Sequence, residues 1–466
     1  MNISFHGAAQ TVTGSKHILH LLNGKKILLD CGMFQGLGKD TLRLNQEWGF
    51  DPSSISLVFL SHAHIDHSGL LPKLVKDGFR GFIYCTTATA DLVKLMLIDS
   101  AHIQENDVKH INKRRLRDER PLVEPLYTSE DAEKVFERLV PVKYNEQLKV
   151  DDQISVIFSD CGHILGSAAI NIRIEEEGSA KTICFSGDVG RYRDMILRAP
   201  DVFPQADYII MESTYGNKLH EEHIPSVERF LDILTDTCLK RKGKLIIPAF
   251  SIGRTQELLY LLNRLELEHR LPKLDYFVDS PLSINATAII KNHPECFNSH
   301  VQELLKKDDD VFGFKGLHLI EKAEDSIRLN DYEGPCVIIS ASGMAEAGRI
   351  KHHIAHNIES SKNTILIVGF SESHSLAGKL KLDPKEVKIF GEPYQVNASI
   401  QTIDSMSAHG DYQDLLKWLS CQDVSKVERF FLVHGEYENQ LALQKRLQQK
   451  GFKNVVIPKM HEEISL

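Results

Sequence analysis

The sequence predicts an α/β protein of two domains, and two observations support this. The chain has 466 residues, which is too long for one ordinary hydrophobic core. Its first half is rich in predicted strands, whereas from about residue 208 short apolar strands alternate with helices. Such alternation predicts a parallel sheet that is covered by helices.

The first half contains the predicted β-rich part. Strands are predicted at residues 16–22 and 25–29, on either side of Asn23-Gly24, a dipeptide that is typical of a hairpin turn. Residues 55–60 form a continuous apolar strand, and a histidine-rich loop and a helix at 68–76 follow it. Further strands are predicted at residues 154–158, 168–174 and 181–185.

The second half contains the alternating part. Its strands are predicted at residues 208–211, 244–247, 274–278, 336–339 and 364–368. Helices between them are predicted at residues 254–265, 285–291 and 349–358. After about residue 395, two further strand–helix units complete the chain.

The composition restricts the class of protein. The chain is 42% hydrophobic and 26% charged, with a formal net charge of −9. A protein that coats nucleic acid non-specifically is usually basic, so the acidic balance argues against that class. A nucleic-acid substrate stays open, because bound cations can supply a positive field. Residues 109–120 are locally basic, and a solvated helix face is favoured there over a surface that contacts the phosphates of a nucleic acid.

The sequence also predicts a compartment. No apolar run is long enough to span a bilayer, and the first residues lack the pattern of a signal peptide. The eight cysteines are scattered, and several lie in apolar strand-like runs. This pattern predicts reduced, buried thiols in a cytoplasmic protein that has no membrane partner.

The segment from Ser61 to Gly69 predicts a metal site. It places His62, His64, Asp66 and His67 on a loop between a strand and a helix. On a loop, alternate side chains converge, so His62 and His64 can share one metal ion while Asp66 and His67 share another. Mixed nitrogen and oxygen ligands favour Zn²⁺ over Mn²⁺ or Fe²⁺.

Two ions need more ligands than one loop supplies. His163, Asp188 and His434 each lie beside a glycine at the end of an apolar strand, where the backbone can approach an ion closely. Each of them alone is equally well explained as a structural residue. Together with the first segment they complete two coordination spheres, and Asp188 can bridge two ions about 4 Å apart.

These residues resemble the metal signature of the metallo-β-lactamase fold, and Asp30 matches the early aspartate of that family. The resemblance implies an αββα sandwich with the metals at one edge. Segments at 211–216, 407–409 and 433–436 are similar to three motifs of the β-CASP branch of this fold. Known members of that branch are RNA- and DNA-processing nucleases, including the endonuclease of messenger-RNA 3′-end cleavage and its archaeal and bacterial relatives.

The resemblance implies three parts of the chain. Residues 1–212 and 396–466 are expected to form the metallo-β-lactamase domain. Residues 213–395 are expected to form the inserted parallel-sheet β-CASP domain, a lid with the active site in the cleft below it. The sequence departs from the branch at His374, where relatives usually have glycine.

The predicted function is a metal-dependent phosphodiesterase that cleaves RNA with a hydroxide activated by two zinc ions. It is predicted to be an endoribonuclease, with 5′–3′ exonuclease activity left open. Besides bridging the metals, Asp188 is predicted to be catalytic. His409 is expected to protonate the leaving 3′-oxygen, and Glu212 is expected to hold His409 in one tautomer.

Four residues of the inserted sheet are candidates for substrate binding, because ligands of parallel sheets lie beyond the carboxyl ends of the strands. Tight packing with surface arginines explains each of them equally well. The candidates are Arg254, Ser280, Ser342 and Arg349. Three histidines on the same predicted helix as Arg349 are expected to lie at the surface or between domains and not to bind a metal; they are His352, His353 and His356.

Two other classes of function remain. A hydrolase of a small ester or thioester would keep the metals, but it would need no lid of this size. A non-catalytic scaffold of RNA processing usually loses metal ligands, and here all the expected ligands are present. The predicted partner is single-stranded RNA, and a homodimer is left open.

Overall fold

The protein is represented by a computed structural model that describes residues 1–220, 223–369, 371, 374–403 and 407–466. The chain divides into two compact units. The first unit combines Met1–Leu219 with His409–Leu466, and the second unit is His220–Ala408.

The strands are short and are numbered here in chain order. They are β1 (Asn2–Phe5), β2 (His17–His20), β3 (Lys26–Leu29), β4 (Leu57–Phe59), β5 (Ile83–Thr86), β6 (Leu139–Val142), β7 (Leu148–Lys149), β8 (Ile154–Asp160), β9 (Ala168–Glu176), β10 (Ser179–Phe185) and β11 (Tyr208–Met211). They continue with β12 (Leu245–Pro248), β13 (Asp275–Val278), β14 (Leu317–Leu319), β15 (Cys336–Ser340), β16 (Thr364–Val368), β17 (Glu386–Ile389), β18 (Glu392–Gln395), β19 (Ser399–Ile403), β20 (Arg429–Leu432), β21 (Val455–Val456) and β22 (Glu463–Ser465).

The helices are numbered in the same way. They are α1 (Asp40–Gln46), α2 (Ile65–Ser68), α3 (Leu71–Lys76), α4 (Thr87–Arg117), α5 (Ser129–Phe136), α6 (His223–Leu234) and α7 (Arg254–Leu267). They continue with α8 (Pro281–Lys291), α9 (Ser299–Leu304), α10 (Ala323–Asn330), α11 (Ile350–Asn357), α12 (Leu376–Leu380), α13 (Tyr412–Trp418) and α14 (Tyr437–Gln449).

The first unit contains two seven-stranded sheets. One has the order β22-β1-β2-β3-β4-β5-β6, and the other has the order β21-β20-β11-β10-β9-β8-β7. The predicted hairpin is confirmed, because β2 pairs antiparallel with β3 and Gly24 between them has a φ of 87°, in the region that glycine tolerates.

The two sheets pack face to face around one apolar core. Strand β9 illustrates why, because Ile170, Ile172 and Ile174 alternate along it and all three are buried in that core. Arg173, between two of them, is exposed. On the far side of the second sheet, α13 and α14 contribute Trp418 and Leu443 to a second core cluster.

Helix α4 packs against β5 and β6 of the first sheet. The first unit therefore has helices outside both sheets, and the predicted αββα sandwich is confirmed. The metal-binding segments all follow strands of this sandwich whose last three residues are buried.

The second unit contains a six-stranded sheet with the order β14-β13-β15-β12-β16-β19. All of its neighbouring strands are parallel. Every residue of β15 and β16 is buried, as expected of central strands that are covered on both faces. Strands β17 and β18 form a separate hairpin.

The predicted boundaries of the inserted domain differ from those of the second unit. The sequence places residues 396–403 in the metallo-β-lactamase domain, whereas β19 pairs with β16 over five residues of the inserted sheet. The second unit also begins at His220 and not at Ser213. The apolar pattern of a strand predicts its existence but not its pairing partner, which explains the difference at β19.

Candidate metal centre

The first metal-binding segment follows β4. This strand is buried along its whole length, and the chain then turns into α2, whose residues include Asp66 and His67. His64 lies immediately before α2 in an extended conformation, with a ψ of 147°. The side chains of His62 and His67 are almost completely buried, so the loop directs its imidazoles inward.

Three other loops bring further ligands to the same place. His163 follows β8, Asp188 follows β10 and His434 follows β20. The backbone of Gly187 has a φ of 54°, and a Cβ at this position would lie 2.5 Å from the Cβ of Ser61. A glycine is therefore required where the loop of Asp188 approaches the loop of His62.

One group of ligand atoms consists of His62, His64, His163 and Asp188. His64 Nδ1 lies 3.1 Å from His62 Nε2 and 3.3 Å from His163 Nε2. Asp188 Oδ2 lies 3.5 Å from each of the Nε2 atoms of His62 and His163. Three imidazole nitrogens and one carboxylate oxygen thus surround one point.

A second group consists of Asp66, His67 and His434. His434 Nε2 lies 3.2 Å from His67 Nε2 and 3.3 Å from Asp66 Oδ2. Asp188 joins the two groups, because its Oδ2 atom lies 3.3 Å from His67 Nε2 and its Oδ1 atom lies 3.4 Å from His434 Nδ1. The predicted ligands therefore lie together, with Asp188 between the two groups.

The spacing of these atoms fits coordination of a small divalent cation. Zinc–nitrogen and zinc–oxygen bonds of about 2.1 Å in a tetrahedron place ligand atoms about 3.4 Å apart. Between neighbouring ligand atoms the separations run from 3.1 Å to 3.9 Å, and all the ligand atoms of each group lie within 4.8 Å of one another. The Oδ1 atom of Asp188 is buried and has no hydrogen-bond partner among the described residues, as expected of a group that binds an ion.

The ionisation of the first group also suits a metal ion. Burial lowers the pKa of His62 and His163 well below their usual value, and it lowers the pKa of His64 to about 4. These imidazoles are therefore neutral at pH 7, which is the form that binds metals.

Around His67 the carboxylates dominate. Burial opposes protonation, but Asp188 and Asp66 outweigh it and raise the pKa of His67 well above its usual value. Burial likewise opposes ionisation of Asp188, yet the imidazoles of His434 and His67 hold its pKa well below its usual value. The site thus favours positive charge at this point, which a proton or a divalent cation can supply.

Family profiles match three stretches of the chain. Residues 18–214 match a metallo-beta-lactamase superfamily domain, residues 255–380 match a Beta-Casp domain, and residues 393–458 match a Zn-dependent metallo-hydrolase RNA specificity domain. A ribonuclease from Thermus thermophilus is 36% identical over 97% of this chain and 97% of its own length. The chain belongs to the β-CASP family of the metallo-β-lactamase fold.

Other relatives match nearly the whole chain but differ in how much of their own length is matched. An RNase J-like protein from Methanocaldococcus jannaschii is 29% identical over 93% of this chain and 92% of its own length. Cleavage and polyadenylation specificity factor 73 from Drosophila melanogaster is 30% identical over 95% of this chain but only 61% of its own length. The predicted β-CASP family is confirmed, and the fold of this family implies a divalent metal.

Hydrogen bonds from neighbouring side chains orient the metal-ligand histidines of this β-CASP protein. Asp30 Oδ2 lies 2.6 Å from His67 Nδ1, and Asp30 also accepts hydrogen bonds from the backbone N–H and the hydroxyl of Ser61. The Ser61 Oγ atom lies 3.0 Å from His62 Nδ1. Carboxylate and hydroxyl partners of this kind fix the tautomer of a ligand histidine.

His409 and Glu212 form a pair beside the ligands. His409 Nδ1 lies 3.2 Å from both carboxylate oxygens of Glu212 and 3.9 Å from Asp188 Oδ2. Glu212 also accepts hydrogen bonds from the backbone N–H groups of Val189 and Thr214. Glu212 can be grouped with Asp188 and His434 as a metal ligand, but these four contacts already occupy its carboxylate.

The predicted substrate-binding residues all lie in the second unit. Arg254 is buried and paired with Glu257. Arg349 donates to Asp279 at 2.7 Å and also to the carbonyls of Ile320 and Glu321. Both guanidinium groups are therefore held by neighbouring residues.

The two predicted serines differ in exposure. Ser280 is buried and caps α8 by accepting a hydrogen bond from the N–H of Ser283. Ser342 is more exposed and contacts Ala347. His374 is exposed just before α12. Contact of these residues with a substrate stays a prediction.

Two neighbours of the ligands were missed by the sequence reasoning. They are Ser61, which contacts His62, and Thr214, whose Oγ1 atom lies 3.1 Å from His434 Nδ1. Each is adjacent to or near a recognised motif, so its position was a usable signal. The hydrogen bonds of Ser61 and Thr214 to the ligand histidines could not be predicted, because they depend on the directions of the side chains.

Across the described ranges, none of the helices combines the length and the apolar character that crossing a bilayer requires.

Proposed function

We propose that this β-CASP protein is a metal-dependent phosphodiesterase that cleaves RNA. The observation that carries the proposal is the pair of adjoining ligand groups that share Asp188, with the His409–Glu212 pair beside them. The names of relatives, which include a ribonuclease and an RNase J-like protein, support RNA as the substrate class.

We propose two zinc ions for the two groups. The first group offers three imidazoles and one carboxylate, and the second offers two imidazoles and one carboxylate. Nitrogen-rich tetrahedral sets favour zinc over magnesium or calcium, which prefer oxygen ligands. When bound there, the ions lower the pKa of water and neutralise charge on the phosphate.

The residues of the chain have separate tasks in this proposal. Asp188 is shared by both groups and fixes their separation. Glu212 holds the Nδ1–H of His409, and this leaves Nε2 as the atom that can deliver a proton to the leaving 3′-oxygen. Burial opposes protonation of His409, but Glu212 and Asp188 outweigh it and raise its pKa to about 9, whereas bound cations would act in the opposite direction.

The finer points of the function stay predictions. These are endonucleolytic cleavage, any 5′–3′ exonuclease activity, a preference for single-stranded RNA, and a homodimer. A cytoplasmic location is also proposed, because none of the eight cysteines, all of which lie in the described ranges, forms a disulfide, and seven of them are buried. Such thiols suit a reducing compartment.

The other functions are less well supported. A hydrolase of small esters would not need the large inserted unit that the Beta-Casp profile matches. A non-catalytic scaffold is not favoured, because His409 and Glu212 are present and in contact beside the ligand groups.

The proposal is tested by cleavage of end-labelled RNA and DNA of the same sequence, with and without a chelator, on protein whose metal content is measured first. We expect about two equivalents of zinc and cleavage of RNA that stops on chelation and returns with zinc. A blocked 5′ end should leave cleavage intact if the enzyme cuts internally.

Two results would contradict the proposal. A metal content near zero that does not rise when zinc is added would exclude the proposed metal centre. Chelator-sensitive hydrolysis of a small thioester, with both nucleic acids left intact, would replace the substrate class.

A further inference from the structure

Helix α4 starts beside a metal-ligand loop and extends far from it. The hydroxyls of Thr86 and Thr89 at its beginning donate to the carbonyl of Gly166, at 2.6 Å and 2.8 Å. Gly166 belongs to the loop that carries His163. The helix has 31 residues, so at 1.5 Å per residue its far end lies about 45 Å along the axis.

The two halves of α4 have different surroundings. Its first half is anchored in the first unit by buried residues, of which Leu97 and Ala101 are the last. Beyond Ala101 one side of the helix is covered by the returning chain, because Asn112 exchanges two hydrogen bonds with the backbone of Val123. The opposite side of this half is exposed.

Cations line that exposed side. Lys109, Lys113 and Arg117 are spaced four residues apart and therefore follow one face. Arg114 and Arg120 extend this set, here called the basic face, and all five are exposed. In the part of the chain that the structure describes, none of the five has a carboxylate partner within 4.0 Å.

The charge of this region contrasts with the rest of the protein. Residues 109–120 contain six Lys or Arg and two Asp or Glu, a net charge of +4, in a chain whose net charge is −9. Cations in the last turn of a helix stabilise its dipole, which accounts for Arg114, Arg115 and Arg117. It does not account for Lys109 and Lys113, which lie before that turn.

We propose that the basic face binds the phosphate backbone of the RNA substrate at a distance from the cleaved bond. This rests on the proposed function. Unpaired lysines and arginines that follow one face suit a polyanion. Their charges neutralise the phosphates of a nucleic acid, and the release of bound counterions favours binding. The face would hold RNA without reading its sequence, since contacts to phosphates position a nucleic acid but do not specify it.

The contact should depend on the length of the RNA. A short oligonucleotide that occupies only the metal centre cannot reach residues many turns along α4. A longer RNA can engage both places, and the second contact raises its overall affinity. Loss of the basic face should therefore weaken the binding of long RNA and spare the cleavage of short RNA.

The test uses the full-length triple variant Lys109→Gln, Lys113→Gln and Arg117→Gln. Glutamine keeps good helix propensity at these exposed positions. The matched control is Lys445→Gln, Lys450→Gln and Lys453→Gln, which removes the same charge from exposed positions on and just after α14. Binding of fluorescently labelled RNA of about 30 nucleotides is measured by anisotropy in chelator over a range of salt.

We expect the α4 triple to bind this RNA at least 10-fold more weakly than wild type in low salt. The slope of log affinity against log salt should fall by about 2, since each lost single-strand phosphate contact removes about 0.7. The control triple should change neither quantity. With metal present, the α4 triple should cleave a short RNA at the wild-type rate.

Unchanged RNA affinity and slope in the α4 triple, or an equal loss in the control triple, would overturn the inference. So would weakened binding of acidic phospholipid vesicles with unchanged binding of RNA, because the face would then serve a membrane surface. If wild type binds RNA through this face but never cleaves it, the proposed function fails, and only the binding of RNA by the basic face stands. If wild type cleaves RNA and the α4 triple binds normally, only the inference fails.

Discussion

The two units each contain a cluster of histidine and aspartate at the carboxyl ends of strands, and the two clusters differ in how their polar atoms are satisfied. In the second unit, Asp279 accepts hydrogen bonds from His353 Nε2 at 2.6 Å, from the Ser326 hydroxyl and from Arg349 at 2.7 Å. The other ring nitrogen of His353 faces Asn330 at 3.1 Å. Each of these groups has a complementary partner.

The metal centre of the first unit has no such closed set. Imidazole nitrogens face one another, as His62 Nε2 and His64 Nδ1 do at 3.1 Å. Each neutral imidazole has one donor and one acceptor nitrogen, but here three imidazole nitrogens and a carboxylate oxygen converge on one point, and the donors are not each matched with a separate acceptor. The density of His and Asp thus does not by itself distinguish a metal site from an ion-pair network. The two kinds of site are distinguished by what the polar atoms face. In a metal site they surround a space that fits an ion, whereas in an ion-pair network each donor faces an acceptor.

The largest expected effect comes from the shared carboxylate of the metal centre. Asp188→Ala should lose both equivalents of zinc, because Asp188 contacts both ligand groups. His62→Ala should lose only one equivalent, because His62 belongs to the first group alone. RNA cleavage should fall by about 10³-fold or more in both variants. Elemental analysis beside cleavage rates measures this difference.

Equal retention of zinc in Asp188→Ala and wild type would show that Asp188 does not join the two groups. The exposed His374→Ala serves as the control for removal of a histidine and should keep the wild-type zinc content.

The next largest effects are expected from variants that distinguish residues for proton transfer from residues for metal binding. His409→Ala should lower the rate of RNA cleavage by about 10²- to 10⁴-fold, as removal of a general acid does, while the zinc content stays near wild type. His434→Ala should instead disturb the metal site. Glu212→Gln should resemble a milder His409 defect, because it keeps the shape but loses the charge that favours imidazolium. Cleavage rates and zinc stoichiometry are measured on all three variants.

An unchanged cleavage rate in His409→Ala would remove its role as the acid. A loss of zinc equal to that of His434→Ala would make His409 a ligand.

The sequence predicted much of the first unit and less of the second. The spacing from His62 to His67 indicates a metal loop because its ligands are close along the chain. Three further ligands were recognisable because each follows a strand with an apolar end and adjoins a glycine; they are His163, Asp188 and His434. These are local signals, and local signals can be read from one sequence.

Long-range pairings could not be predicted in the same way. Arg349 and Asp279 are 70 residues apart, and nothing in the local sequence of either indicates the contact. The ion pair of Arg254 with Glu257 could have been predicted from the sequence, because residues three apart on a helix are neighbours. The pairing of β19 with β16 could not be predicted either, because it depends on the tertiary fold and not on the local sequence.

The Asp279 network should matter for stability but not for the metals. Asp279→Asn removes the charge that pairs with Arg349 and His353, and it should lower the free energy of unfolding by about 3 kcal/mol. Zinc content should stay unchanged. The control Asp325→Asn breaks only an exposed pair with Arg328 and should cost less than about 0.5 kcal/mol. Chemical denaturation and elemental analysis test both variants. Loss of zinc in Asp279→Asn would contradict the conclusion that the Asp279 network supports stability only and does not affect the metal centre.

The smallest effect concerns the orientation of one ligand. The Thr214 Oγ1 atom lies 3.2 Å from the carbonyl oxygen of His434 and 3.1 Å from its Nδ1 atom. Since the hydroxyl has one proton, it donates to the carbonyl and accepts from Nδ1–H, which leaves the Nε2 lone pair directed at Asp66 and His67. Thr214→Val should therefore weaken the binding of one of the two zinc ions by about 10-fold, within the range of other outer partners.

Thr214→Ser keeps the hydroxyl and should restore wild-type affinity for zinc. Thr237→Val, which removes a buried hydroxyl bonded to Thr364 in the second unit, should leave zinc affinity unchanged. Competition with a chromophoric chelator measures the affinity of each site. If Thr214→Val and Thr214→Ser lose zinc affinity equally, packing and not the hydrogen bond holds His434, and the metal centre would then be organised more like the closed Asp279 network than we infer.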